Sequence, residues 1–262
     1  MLYPKHKTRI EVVWLGFALA WTAGFVDAIG YLTLREIYVA NMSGNTVSVA
    51  IHLSKRDWSA AWAHACPLLA FVPGLVAGGV IVELCKRSKL RAPLVLALLL
   101  EAMALALFII IGRQLISSQG TIPETSTVAY ALLVGLLAFS MGLQNGALQR
   151  IGALKDVHTY VTGTLLAMGD GFTQYLFWIG RRLRQMSGTR ICRVLSYSTR
   201  QRSLRTAFWA AMLWTLYIIG AVLGALARLR CGINIFLIPI GLLLLVAFVD
   251  AIKPARREGP DR

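Results

Sequence analysis

Charge is what this sequence has least of. Only 15% of the 262 residues are Asp, Glu, Lys or Arg, against about 25% in ordinary soluble domains. Acids are scarcer still, 12 against 27 Lys and Arg, which leaves a net charge of +15. That shortage argues against both a disordered chain and a soluble enzyme. The four cysteines Cys66, Cys85, Cys192 and Cys231 form no C-x-x-C pair and fit no disulfide or zinc framework. The four histidines His6, His52, His64 and His158 form no H-E-x-x-H or related metal pattern. P-loop, Rossmann glycine pattern and G-x-S-x-G elbow are all missing. The chain is therefore expected to be no enzyme and to hold neither metal nor cofactor.

What is present is apolar. Hydrophobic residues make up 57% of the chain, and mean hydropathy is +0.64. A bilayer crossing takes about 20 apolar residues. Six runs qualify, at about 12–33, 64–84, 93–112, 127–148, 206–227 and 233–252. The run at 41–53 is too short to cross and is stopped by Lys55, Arg56 and Asp57. The run at 157–179 is interrupted by Gly169, Asp170 and Gly171. Both are expected to be half-spanning or re-entrant helices. Lys5, Lys7 and Arg9 ahead of an apolar stretch resemble a signal peptide, but the run continues too far for cleavage to be the expected outcome.

Two short motifs recur. Gly24-Phe25-Val26-Asp27-Ala28 precedes Met42-Ser43-Gly44-Asn45-Thr46, and Gly142-Leu143-Gln144-Asn145-Gly146 precedes Val161-Thr162-Gly163-Thr164-Leu165. The two glycine-to-glycine spacings, 20 and 21 residues, nearly match. The chain thus reads as two repeats, 1–113 and 127–262, each with three spans and one half-helix. Charge fixes their sense. With Lys5, Lys7 and Arg9 inside, the clusters at 86–91 and 180–205 and the C-terminus also fall inside, as the positive-inside rule requires. Loop 113–126 falls outside, and Arg228 and Arg230 are the exceptions. Eight crossings would put the 86–91 cluster outside. Three spans per half invert the second repeat relative to the first, a recurrent transporter design.

The positive balance points to this loop bias rather than to nucleic acid, since no nucleic-acid-binding motif is present. Between Arg181 and Arg205 there are eight arginines and no acid. That stretch is expected to face the cytoplasm and to meet anionic lipid headgroups.

The repeated motifs are the candidate binding site. Ser43 and Thr162 stand where helix N-caps would stand. Gly44 and Gly163 would allow close backbone approach. Two half-helix N-termini meeting within the bilayer would suit a small polar or anionic solute. Asp27, Asn45, Gln144, Asn145 and Thr164 would complete the site. Intramembrane carboxylates face the interior or water, so Asp27 and Glu101 are the candidates for proton coupling. Glu101, at the centre of a wholly apolar run, must be neutral, paired or hydrated. The competing explanation is that the small residues serve helix packing and Asp27 reaches the interface. His158, near the second motif, could line an entrance.

The stretches Ala23–Leu32, Met42–Thr46, Met141–Asn145 and Tyr160–Thr164, with Leu99-Leu100-Glu101-Ala102, resemble the signatures of the YoaK-like family. These are bacterial multi-pass membrane proteins, and the resemblance covers roughly residues 11–250. It implies a location in the bacterial cytoplasmic membrane and no established substrate. The Arg-rich 181–205 stretch is longer than the family pattern. The expected fold is all-α, with six full spans and two half-helices. The expected role is transport of a small solute, with a membrane scaffold or accessory subunit as the alternative.

Overall fold

The computed structural model describes residues 7–88, 92–115, 127–151, 161–184 and 201–252. Residues 116–126, residues 152–160 with His158, and most of the Arg-rich stretch lie outside them. Every regular element among the described residues is helical. In chain order they are α1 (Lys7–Thr33), α2 (Met42–Ser54), α3 (Trp58–Arg87), α4 (Pro93–Leu115), α5 (Thr127–Ile151) and α6 (Val161–Arg184). Then come α7 (Arg202–Cys231), a 3-10 turn (Gly232–Phe236) and α8 (Leu237–Ile252).

Five stretches are long and apolar enough to cross a membrane: Trp14–Thr33, Trp58–Arg87, Leu94–Leu115, Val128–Ile151 and Arg202–Ile252. The first four coincide with the first four expected spans, and the fifth contains both α7 and α8. Two expectations need correcting. The helix at 64–84 starts at Trp58, where the Asp57 carboxylate accepts the Ala60 N–H at 3.1 Å and supplies an N-cap. The second ambiguous segment does not break at Gly169-Asp170-Gly171. It runs unbroken to Arg184, with Asp170 paired to Gln174 at 2.9 Å one turn on. Twenty-four residues make it about 36 Å long.

The core is built on two seams between parallel helices. Phe17 of α1 meets Trp209 of α7, and further along the pair Thr33 accepts a hydrogen bond from Arg228 at 2.9 Å. Between them, a Cβ on Gly24 would run into the Tyr217 carbonyl. Cβ atoms on Gly220 and Gly224 would likewise meet the Trp21 and Phe25 carbonyls. In the other seam, Gly142 and Gly146 of α5 lie against the Phe71 and Leu75 carbonyls of α3. Gly74 and Gly78 of α3 lie against the Phe139 and Leu143 carbonyls. Such contacts let helix backbones approach closely where lipid supplies no hydrophobic drive.

The two seams correspond at three glycine contacts each. A shift of 118 residues carries Trp21, Gly24 and Phe25 onto Phe139, Gly142 and Leu143. A shift of 146 residues carries Phe71, Gly74 and Gly78 onto Tyr217, Gly220 and Gly224. The shorter helices follow the same plan: α2 packs on α3 and α6 on α7, while α4 packs on α8.

Candidate functional site

The sequence-derived site residues fall into three polar groups among the described residues. The first centres on Asp27, two turns from the end of α1 and 3% exposed. After Thr33 the chain turns back through Arg35 and Glu36, at φ of 53° and 63°, a left-handed conformation uncommon for non-glycine residues. Val39 then packs over Gly30. The return carries the Val39 and Ala40 N–H groups to Asp27 Oδ1, at 2.6 and 2.8 Å. Asp27 Oδ2 accepts the Tyr217 hydroxyl at 2.6 Å, from α7. Two peptide donors just before α2 are thus satisfied by a side chain, which matters where water is excluded.

Asn45 finishes the turn. Its Oδ1 accepts the Tyr38 N–H at 3.3 Å, and its Nδ2 donates to the Tyr38 carbonyl at 2.6 Å. The expected cap is different in detail. Ser43 lies inside α2, and Asn41 holds the N-cap position with no side-chain cap bond. The Asn41 side-chain oxygen instead accepts the Ser43 hydroxyl at 2.8 Å. Gly44 sits under the Tyr38 ring. Thr162 likewise lies within α6 rather than ahead of it. The chain enters α2 held by Asp27 and Asn45, so a serine cap is not what secures the turn.

The second group joins α4 to α5. Glu101 is fully buried, and its Oε1 accepts from Gln144 Nε2 at 2.9 Å. Its Oε2 is buried without a partner. The amide of Gln144 is neutral, so this contact is a hydrogen bond rather than an ion pair.

The third lies at the start of α6. Thr164 is buried, its hydroxyl donating to the Val161 carbonyl at 2.7 Å. Together with Ala20, Leu213, Trp214 and Tyr217 it borders a void of about 10 Å³, the lower limit for one water. Thr162 is exposed and Gly163 half-buried on the same turn. Asn145 donates to the Met141 carbonyl of its own helix at 2.9 Å.

The fold therefore joins Asp27 to Tyr217 by a hydrogen bond and sets Thr164 with Tyr217 along one small void. Ser43, Gly44 and Asn45 gather around Asn41 and Tyr38, and Gln144 belongs with Glu101. Sequence reasoning missed Tyr217. Its signal was present: Phe71-x-x-Gly74-x-x-x-Gly78 returns as Tyr217-x-x-Gly220-x-x-x-Gly224. Aligning these would have shown a tyrosine in one seam where the other has phenylalanine. Tyr38 and the Val39 and Ala40 amides carried no comparable signal, because backbone donors leave no residue-type pattern.

Comparison with known proteins fits a chain of this kind. Residues 15–249 match the family model described as "Protein of unknown function (DUF1275)". The UPF0700 transmembrane protein YoaK of Bacillus subtilis (strain 168) is 26% identical over 235 residues, covering 90% of this chain and 92% of the relative. The UPF0700 transmembrane protein RA0705 of Rhizobium meliloti (strain 1021) is 28% identical over 158 residues, 60% of each chain. No solved structure matches. With a match spanning almost its whole length and transmembrane relatives, this chain is a transmembrane protein belonging to the DUF1275 family.

Proposed function

We propose that the protein transports or conducts a small polar or anionic solute across the bacterial inner membrane. In this reading it consists of two inverted three-span repeats, with α2 and α6 as re-entrant elements. The observation that carries it is the arrangement around Tyr217. Its hydroxyl reaches Asp27, which binds the amides leading into α2, while the first turn of α6 lines a small void together with Tyr217. Two helix starts from corresponding halves thus converge on one polar pair, as in transporters with discontinuous helices. The corresponding glycine seams support the duplication.

The reading places both termini, Ser88 and the end of α6 in the cytoplasm, and the α2–α3 junction outside. Lys55 and Ser88 are both exposed. In a background with the native cysteines replaced by alanine, Lys55→Cys is expected to react with an impermeant thiol reagent in intact cells. Ser88→Cys is expected to react only after the membrane is opened. Reaction of both from one side would defeat this topology.

Transport itself is tested at α6. Thr162→Cys is expected to react with a charged, impermeant methanethiosulfonate, because an aqueous route must reach the helix start at some stage of the cycle. Reaction with lipid-soluble maleimide alone would remove transport and leave a scaffold. The scaffold reading rests on one specific observation, that Asp27 is closed in by protein donors beside a void of only about 10 Å³.

In the same proposal Glu101 carries or steadies a proton, with Gln144 holding one carboxyl oxygen. A hydrophobic carbodiimide is expected to modify Glu101 in the membrane, detected as a mass shift on its peptide and abolished by Glu101→Gln. A carboxyl that remains unmodified at full exposure to the reagent would remove Glu101 from any proton path.

A further inference from the structure

The C-terminal half of α6 does more than continue a helix. Gly171 lies against Ser203 and Ala207 of α7, so α7 begins beside the middle of α6, and α6 runs on for about three turns beyond that contact. The overhang is aromatic on its apolar side and basic at its end. Phe172, Leu176 and Phe177 are exposed, Tyr175 stacks on Trp178, and the Arg182 guanidinium sits 5.7 Å from the centre of the Trp178 ring. Aromatic rings next to arginines are the usual composition of a segment held at the headgroup level.

Between this overhang and the start of α7 is a cavity of about 310 Å³. Gln174, Trp178 and Arg181 line it from α6, and Gln201 and Ser203 from α7. Two details make it more than a gap. Ser203 Oγ is buried without a hydrogen-bond partner, although a buried hydroxyl normally has one. Gln201, at the N-cap position of α7, makes no side-chain cap bond, so the side chain at this helix start leaves the first-turn amides uncapped. A hydroxyl, an arginine and an open helix start therefore converge on one volume, a donor set suited to phosphate oxygens. Asp170, one turn before Gln174, already accepts from its amide.

We infer that this cavity is a binding site for a phosphate group, with Arg181 supplying charge and Ser203 a hydroxyl donor. Its flanking aromatics place it where an anionic lipid presents its phosphate, at the leaflet reached by the end of α6. The inference concerns a different place from the Asp27–Tyr217 region and stands whether or not the protein transports.

The test uses the full chain purified in detergent and read by native mass spectrometry. Phosphatidylglycerol and phosphatidylcholine are offered in parallel, and inorganic phosphate up to millimolar concentration is offered in a thermal-shift arm. Retention of phosphatidylglycerol over phosphatidylcholine is expected to fall about fivefold in Arg181→Gln, the effect of one basic group at a membrane surface. Ser203→Ala, which changes one atom in the cavity, is expected to weaken retention as well. Stabilisation by inorganic phosphate that is lost in Arg181→Gln would support the site and assign it to a free anion. Phosphatidylglycerol retention no better than that of diacylglycerol, a phosphate-free lipid offered in the same way, without a phosphate response would overturn the inference. So would wild-type retention in both variants.

Discussion

Asp27→Ala is expected to lower stability by about 3–5 kcal/mol, because it strands three donors at once, each worth ~1–3 kcal/mol when buried without a partner. The donors are the Val39 and Ala40 amides and the Tyr217 hydroxyl. The loss should appear as a large fall in melting temperature in detergent and in membrane abundance. Asp27→Asn separates charge from shape. Its amide oxygen can still accept both peptide N–H groups, and the Tyr217 hydroxyl can turn to accept from the new NH2. A cost of only ~1 kcal/mol is expected. Tyr217→Phe, which copies the Phe71 of the other seam, should cost ~1–3 kcal/mol by leaving Asp27 Oδ2 without its donor. An Asp27→Ala protein that melts with the wild type would show that the turn does not depend on this carboxylate. If Asp27→Asn is stable but inactive in a flux assay, the carboxylate has a role beyond holding the turn.

Gly142→Val and Gly24→Val are expected to be the most damaging single substitutions in the protein. Each would drive a branched side chain into a backbone carbonyl of the facing helix, at Phe71 and Tyr217 respectively. Backbone cannot move aside as a flexible side chain can, so the seam must open. Separation of parallel helices over several turns is expected to exceed about 4 kcal/mol, a range reserved for overpacking and comparable disruptions. Because the seams correspond, Gly74→Val and Gly220→Val should match each other in severity. Gly169→Ala and Gly241→Ala serve as controls, since a Cβ at either meets nothing within 4 Å. They are expected to stay within about 0.5 kcal/mol of wild type. Folded, wild-type-like Gly142→Val protein would contradict the seam as described. Gly44→Ala falls between, because its new methyl meets only the Tyr38 ring, 3.0 Å away.

The sequence disclosed the parts of this molecule that depend on composition and period. Long apolar runs predicted the helices, because hydrocarbon admits few alternatives to helical backbone. Gly24 and Gly142, which open the two repeated motifs, fall in the seams, since only glycine permits a carbonyl at that distance. The Asp27 environment was half legible. A carboxylate inside a span announced an interior position, yet its donors are mostly peptide N–H groups, which no residue code reports. The cap at α2 was misread for a related reason: Ser43 has the right chemistry, but Asn45 and Asp27 secure the turn from farther away. The α6 boundary was misread because Gly169-Asp170-Gly171 looks like an interruption, whereas Gly171 is small to admit α7 and Asp170 is satisfied along its own helix.

Each seam joins a helix from one half to a helix from the other, and this has a consequence for how the protein is made. Asp27 reaches its hydroxyl donor 190 residues later in the chain. At a synthesis rate of about 5–20 residues per second, α1 enters the membrane on the order of 10–40 s before α7 exists to receive it. The glycine face of α1 and one carboxylate oxygen must be tolerated by the insertion machinery, lipid or other helices throughout that interval. α5, by contrast, emerges to find α3 already in place. Ribosome stalling between the halves would therefore leave both α1 and α3 without their seam partners, as exposed targets for membrane proteases.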